Sequence, residues 1–369
     1  MKYPIGIQDF EDLQRNGYAY VDKTNFVYKL ADEGKYYFLS RPRRFGKSLF
    51  LSTLEAYFQG KKELFKGLAI YDLETEWKKY PIFHIDLNTA NFREKDSLYT
   101  VLNDYLTTWE SKYGTRESEA TLALRFKGVI ARAAEKEGCG VVILIDEYDK
   151  PILQTLRDPE LQAEHRAQLK AFYSVLKTQD RYIKFAFLTG VTKFGKVSVF
   201  SDLNNLTDIS MDHRYISICG MTEKELLTNF KEGINELASA NEDNETETID
   251  KLRMRYSGYH FEENSEEIYN PFSVLNTLAN SRYDDYWFKA NTHTFLIDIL
   301  KKHDYCITDL NKAQVKANMM NNVDSNPIPV IYQSGYLTIK SYDERFKNYQ
   351  LGIPNKEVEE SILNIFSPL

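Results

Sequence analysis

Five short apolar runs, separated by stretches of helical period, constrain this chain more than any other feature. The runs cover residues 36–39, 81–87, 141–145, 184–188 and 215–218. Between them, apolar residues recur every three or four positions: Leu49, Leu54, Tyr57 and Phe58, then Leu98, Leu102, Leu106 and Trp109. Leu122, Phe126, Val129 and Ile130 form a third such face, and Leu169, Phe172, Tyr173 and Leu176 a fourth. Near-continuous apolar strands belong to sheets covered on both faces, and parallel strands need crossovers long enough to hold a helix. The pattern therefore predicts an α/β fold around a parallel sheet. Right-handed crossovers would gather the strand C-termini at one edge, where ligands bind.

After Gly220 the strand runs stop. Thr222 with Glu225 forms a capping box that predicts a helix through Leu226, Leu227, Phe230, Ile234 and Leu237. The acidic stretch 241–247 reads as a solvated loop. Asn270-Pro271 predicts an N-cap with Pro at the first helical position. Residues 335–340 and 348–353 are expected to pair as a hairpin, and 357–366 to form a last helix.

With 369 residues, of which 43% are hydrophobic, the chain is long enough for about two domains. A net charge of -7 excludes a bulk positive field for nucleic acid and leaves only local basic clusters. No apolar run approaches the roughly 18 residues of a membrane span, and the first ten residues lack the apolar segment of a signal peptide. Cys139, Cys219 and Cys306 are widely spaced, so neither a disulfide framework nor a zinc site is suggested, and a reducing, cytoplasmic setting fits. The histidines His84, His165, His213, His260, His293 and His303 fall at no metal-ligand spacing.

Directly after the first strand run stands Ser40-Arg41-Pro42-Arg43-Arg44-Phe45-Gly46-Lys47-Ser48, followed by Leu49 and a helical pattern. Backbone N–H groups of such a turn, at a helix N-terminus, can surround a phosphate chain. Gly46 permits close approach, Lys47 would reach the β- and γ-phosphates, and Ser48 would hold Mg²⁺. Arg41 stands where the usual motif has its first glycine. The cations Arg41, Arg43, Arg44 and Lys47 repel one another unless an anion joins them or solvent screens them. A nucleotide is the first choice for that anion and a nucleic-acid phosphate the second.

The third run ends in Asp146-Glu147. Asp146 at the sheet edge could order Mg²⁺, and Glu147 could polarise an attacking water as general base. Alternatively, the two merely end a strand in solvent. The fourth run leads to Thr189 and Thr192, of which Thr189 is the preferred sensor of a γ-phosphate, although a plain strand-end turn would look the same. Arg43, Arg44 and Arg214 are candidates for an arginine finger. Tyr256, Tyr259 and Phe261 either pack a core or stack on bases, with packing preferred.

These residues resemble the AAA-ATPase-like family of bacterial P-loop proteins. The likeness runs through residues 4–10, 20–24, 41–48, 144–149, 187–194, 256–261, 269–273 and 332–337, nearly the whole chain. In that family the phosphate loop itself reads R-P-R-R-F-G-K-S. The resemblance implies an ASCE-type P-loop NTPase core of strand order 5-1-4-3-2 over residues 1–220. It places a helical lid and winged-helix-like region over 221–369. It carries over ATP and Mg²⁺, with Lys47 and Ser48 as phosphate and metal ligands and Asp146 and Glu147 as the acidic pair. Val21, Asp22, Lys23 and Thr24 would lie near the adenine, although helix capping by Asp22 or Thr24 is an equal reading. Many members continue into a nuclease domain, and no Asp followed by Glu-x-Lys stands after Gly220. The sequence thus reads as the ATPase portion, with a C-terminal region that could meet a protein or a nucleic acid. A protein contact is favoured by the acidic surroundings.

Overall fold

The computed structural model describes residues 1–193, 205–289, 310–320 and 326–366. Two compact units organise the chain: Thr24–Ser40 with Leu51–Ile209, and Met1–Lys23 with Arg41–Phe50 and Ser210–Leu369.

The first unit is built on a five-stranded sheet of β1 (Tyr36–Ser40), β2 (Ile82–Asp86), β3 (Val141–Asp146), β4 (Ile183–Gly190) and β5 (Thr207–Asp208). All pairings are parallel, in the spatial order β2-β3-β4-β1-β5, which is the expected order 5-1-4-3-2. β3 is buried along its whole length, and β1 and β4 nearly so, as strands covered on both faces must be. The edge strand β2 alternates, burying Phe83 and Ile85 and leaving His84 and Asp86 half-exposed. Helices Ser97–Tyr113, Leu122–Glu137 and Pro159–Thr178 carry the apolar faces foreseen for them. Trp109 stacks on Phe83 with ring centroids 4.4 Å apart, and Phe126 on Phe172 at 4.2 Å.

The fifth strand corrects the sequence expectation. Residues 215–218 lie in two short 3₁₀ turns over His213–Ile218, kinked at Tyr215 (φ -127°, ψ 16°) and opened by Asp212 accepting from Arg214 N. The carbonyls of Tyr215 and Ile216 bond to the Arg41 guanidinium, and no strand ladder claims them. Thr207–Asp208 pairs with β1 in their place.

In the second unit, the capping box of Thr222 and Glu225 is present, but the expected single helix is two, Glu223–Asn229 and Lys231–Ala240. The break falls at Phe230 (φ -126°, ψ 24°), which leaves helical geometry to bury its ring beside Tyr3. The acidic stretch is likewise more ordered than a solvated loop. Asn244 caps helix Glu245–Tyr256 and exchanges reciprocal bonds with Glu247, and acids suit the first turn of a helix. Asn270 caps helix Pro271–Asn280 as expected. Leu226, Phe230, Ile234, Leu237, Leu252, Tyr256 and Leu278 share one core. The hairpin forms between β7 (Thr338–Asp343) and β8 (Asn348–Gly352), joined by β6 (Gln314–Lys316) in an antiparallel sheet of order β6-β8-β7. Helix Lys356–Phe366 follows.

Candidate functional site

β1 leads directly into Arg41, and helix Lys47–Phe58 opens on the lysine of the loop. Gly46 has φ +93°, and a Cβ there would meet nothing within 4 Å, so its backbone is open to close approach. Lys47 is 4% exposed, and its Nζ donates to the carbonyls of Arg41 (3.1 Å) and Pro42 (3.3 Å). The ammonium is thus held across its own loop beside a helix N-terminus. Ser48 and Leu49 are half-buried in the first helical turn.

The rest of the loop is shaped by residues far away in sequence. Arg41 is buried, donates to the carbonyls of Ser210 (2.7 Å), Tyr215 (3.2 Å) and Ile216 (3.4 Å), and lies 4.0 Å from the Phe261 ring centroid. Trp287 Nε1 donates to the Arg43 carbonyl at 3.0 Å. The Arg44 guanidinium lies over Phe272. The Phe45 ring is buried edge-on against Tyr259 (4.9 Å) and Phe261 (5.8 Å). The expected mutual repulsion of four cations is therefore overturned for Arg41, whose charge is met by carbonyl dipoles and an aromatic face inside the protein. Tyr256, Tyr259 and Phe261 are core residues, so the stacking alternative falls.

At the C-terminal edge of the sheet, Asp146 ends β3 nearly buried, in register with Asp86 of β2. Glu147 follows with φ +51°, a left-handed conformation that non-glycine residues adopt only under constraint. Its N–H donates to Asp146 Oδ1 at 2.9 Å. Thr189 of β4 sits opposite Leu39 of β1, and its buried hydroxyl has no hydrogen-bond partner among the described residues. Ile145 and Leu188 are paired, so the next residues, Asp146 and Thr189, stand side by side at the C-terminal ends of β3 and β4. Asp146, Glu147, Thr189 and Thr192 thus come together at one sheet edge.

The remaining candidates have partners within the chain. Arg214 is bonded through Nε and Nη2 to Asp212, whose carboxyl it holds below the usual range. Thr24 Oγ1 accepts from Ile70 N, and buried Lys23 reaches Glu225. His84 pairs with Glu55 on helix Lys47–Phe58, and His165 and His260 bond to backbone oxygens. Burial works against protonation of His84, but the bond to Glu55 and that group's charge raise its pKa all the same. Phe194, His293, His303 and Cys306 lie outside the described residues. Sequence reasoning gave no role to Asp149, wholly buried three residues beyond Asp146, or to Trp287. Asp149 had a local signal in the run Asp146-Glu147-Tyr148-Asp149, whereas nothing near Trp287 pointed to a loop 244 residues away.

The loop suits a phosphate group. A buried ammonium and an open glycine backbone at a helix N-terminus are groups that phosphate oxygens satisfy. A parallel sheet in this order, with Gly-Lys-Ser at the exit of its first strand, is that of the P-loop NTPases. The chain belongs to the AAA-ATPase-like family of predicted AAA-ATPases, whose sequence profile matches residues 4–200. It is also 38% identical over 367 residues to a protein of Azotobacter chroococcum mcd 1 described as an uncharacterized protein in the vnfD 5′ region. That match takes in 98% of this chain and 69% of the Azotobacter protein. Family and fold together point to nucleotide binding. Among the described residues, no helix is long and apolar enough to cross a membrane.

Proposed function

We propose that the chain is a Mg²⁺-dependent ATPase whose nucleotide cycle switches residues 221–369 between two arrangements. The observation that carries this reading is the Gly46-Lys47-Ser48 turn, joining β1 to a helix in a parallel sheet whose third strand exits in Asp146-Glu147. Backbone amides from Arg43 to Leu49 would cradle the phosphates, with Arg44, Phe45 and Gly46 setting the curve of the loop. Lys47 would neutralise the β- and γ-oxygens. Ser48 and Asp146 would hold Mg²⁺, Glu147 would accept a proton from water, and Thr189 would donate its buried hydroxyl to the terminal phosphate. Bound Mg²⁺-ATP supplies the phosphoryl group and the divalent charge that offsets its oxygens.

Lys47→Ala should abolish ATP binding, whereas Glu147→Gln should bind ATP and hydrolyse it about 10²–10⁴-fold more slowly. Undiminished phosphate release by Glu147→Gln rejects the assigned base.

The hold of Trp287, Phe261 and Phe272 on the loop favours a second reading, a nucleotide-gated module that binds a protein or nucleic acid with little hydrolysis. Tight ATP binding in calorimetry with negligible phosphate release would select it. Salt-dependent DNA binding, lost on removing the region after Gly220, would make nucleic acid the partner.

A further inference from the structure

We propose that Asp149 is a positioning residue that fastens the turn carrying Glu147 to the strand end carrying Thr189. Its consequence for turnover rests on the hydrolytic reading above, while the clamp itself is geometric. Asp149 is wholly buried, and its carboxylate accepts the Val191 amide (3.1 Å), the Thr192 amide (2.6 Å) and the Thr192 hydroxyl (2.7 Å). Burying a carboxylate is tolerable only where several donors meet it. Tyr148 adds two bonds of its own, from its N–H to the Thr189 carbonyl (3.0 Å) and from its hydroxyl to the Thr192 carbonyl (2.8 Å).

Gly190 lets the two segments approach this closely. A Cβ there would sit 2.4 Å from Asp149 Oδ1 and 2.7 Å from Tyr148 Cδ1. Between the last residue of β3 and the first residue of the clamp lies only Glu147, at φ +51°. Such a conformation persists only when its surroundings over-determine it, and the clamp supplies that constraint. The sequence run Asp146-Glu147-Tyr148-Asp149 thus joins a candidate metal ligand and a candidate base to the residues that aim the base.

The experiment compares the wild-type chain with Asp149→Asn, Thr192→Val and Thr192→Ser. It measures phosphate release, ATP affinity, thermal midpoint and amide exchange over residues 189–193. Asp149→Asn and Thr192→Val should lower kcat about 10–100-fold while KM and Kd for ATP stay within about twofold, because misaiming rather than binding is at fault. Exchange at Val191 and Thr192 should quicken in both, and Thr192→Ser, which keeps the hydroxyl, should behave as wild type. Wild-type kcat in Asp149→Asn and Thr192→Val overturns the proposal and leaves the ATPase reading intact. Parallel loss of kcat, ATP affinity and thermal midpoint also overturns it, since that pattern marks a merely structural residue. A wild-type chain that binds ATP and releases no phosphate defeats the hydrolytic reading instead. The clamp then stands if Asp149→Asn quickens exchange at 191–192 and falls if it does not.

Discussion

A buried guanidinium must find an acceptor for its charge, and Arg41 finds three backbone carbonyls and the face of Phe261. Lysine could carry the same charge there but could neither fork between three carbonyls nor stack. Arg41→Lys should therefore destabilise the protein by about 2–4 kcal/mol, read as a lower urea midpoint with an unchanged slope. Glu357 meets the opposite condition. Ser273 Oγ (2.8 Å) and Trp287 N (2.9 Å) donate to it, yet burial outweighs them and pushes its carboxyl up to about 8. Its folded value lies above its unfolded one, so its contribution to stability is full below about pH 4.5 and is lost as pH rises towards 8. Glu357→Gln, which stays neutral, should show no such fall. Thermal midpoints of the two proteins should diverge between pH 5 and 8 and run parallel above. At this scale, Gly46, Lys47 and Ser48 were legible because a strand, a turn and a helix lie next to one another in the chain. Asp146 and Glu147 were legible for the same reason. The partners of Arg41 and the role of Trp287 were not, because those contacts span 169 to 175 residues and 244 residues respectively.

Among the elements, local chemistry succeeded wherever it faced no rival. The Asn270 side chain accepts from the Phe272 and Ser273 amides, the bond that its place before Pro271 announces. Asn270→Ala should cost about 1 kcal/mol, visible as a lower thermal midpoint, and Asn270→Asp should largely restore it. Four of the five strand runs became strands because their apolar side chains had two faces to cover. Residues 215–218 show the limit of that signal. A run of four residues, three of them apolar or aromatic, has no period long enough to separate strand from helix, so Asp212's cap and Arg41's claim on the carbonyls decided. At Phe230, the burial of one ring overrode the continuous helical pattern. In the acidic stretch, charge density concealed a capping box whose spacing, Asn244 to Glu247, was present in the sequence.

For the molecule as a whole, chain order and compactness do not coincide. The segment Arg41–Phe50 belongs to the same unit as Ser210–Leu369, although β1 precedes it and residues 51–209 follow it. A fragment of residues 1–220 would keep the carbonyls that hold Arg41 and lose Tyr259, Phe261, Phe272 and Trp287 from around the loop. That fragment should bind ATP at least about tenfold more weakly than the full chain in calorimetry, equivalent to about 1.4 kcal/mol. Equal affinity would mean that the loop keeps its shape without those side chains. The bond from Trp287 to the Arg43 carbonyl has one more use. The chain holds three tryptophans, and Trp77 and Trp109 both belong to the unit of the parallel sheet. With those two exchanged for phenylalanine, the remaining indole would emit from a dry pocket while tethered to the backbone of the phosphate loop. The protein would then carry its own optical gauge of the loop, readable in solution without any attached dye.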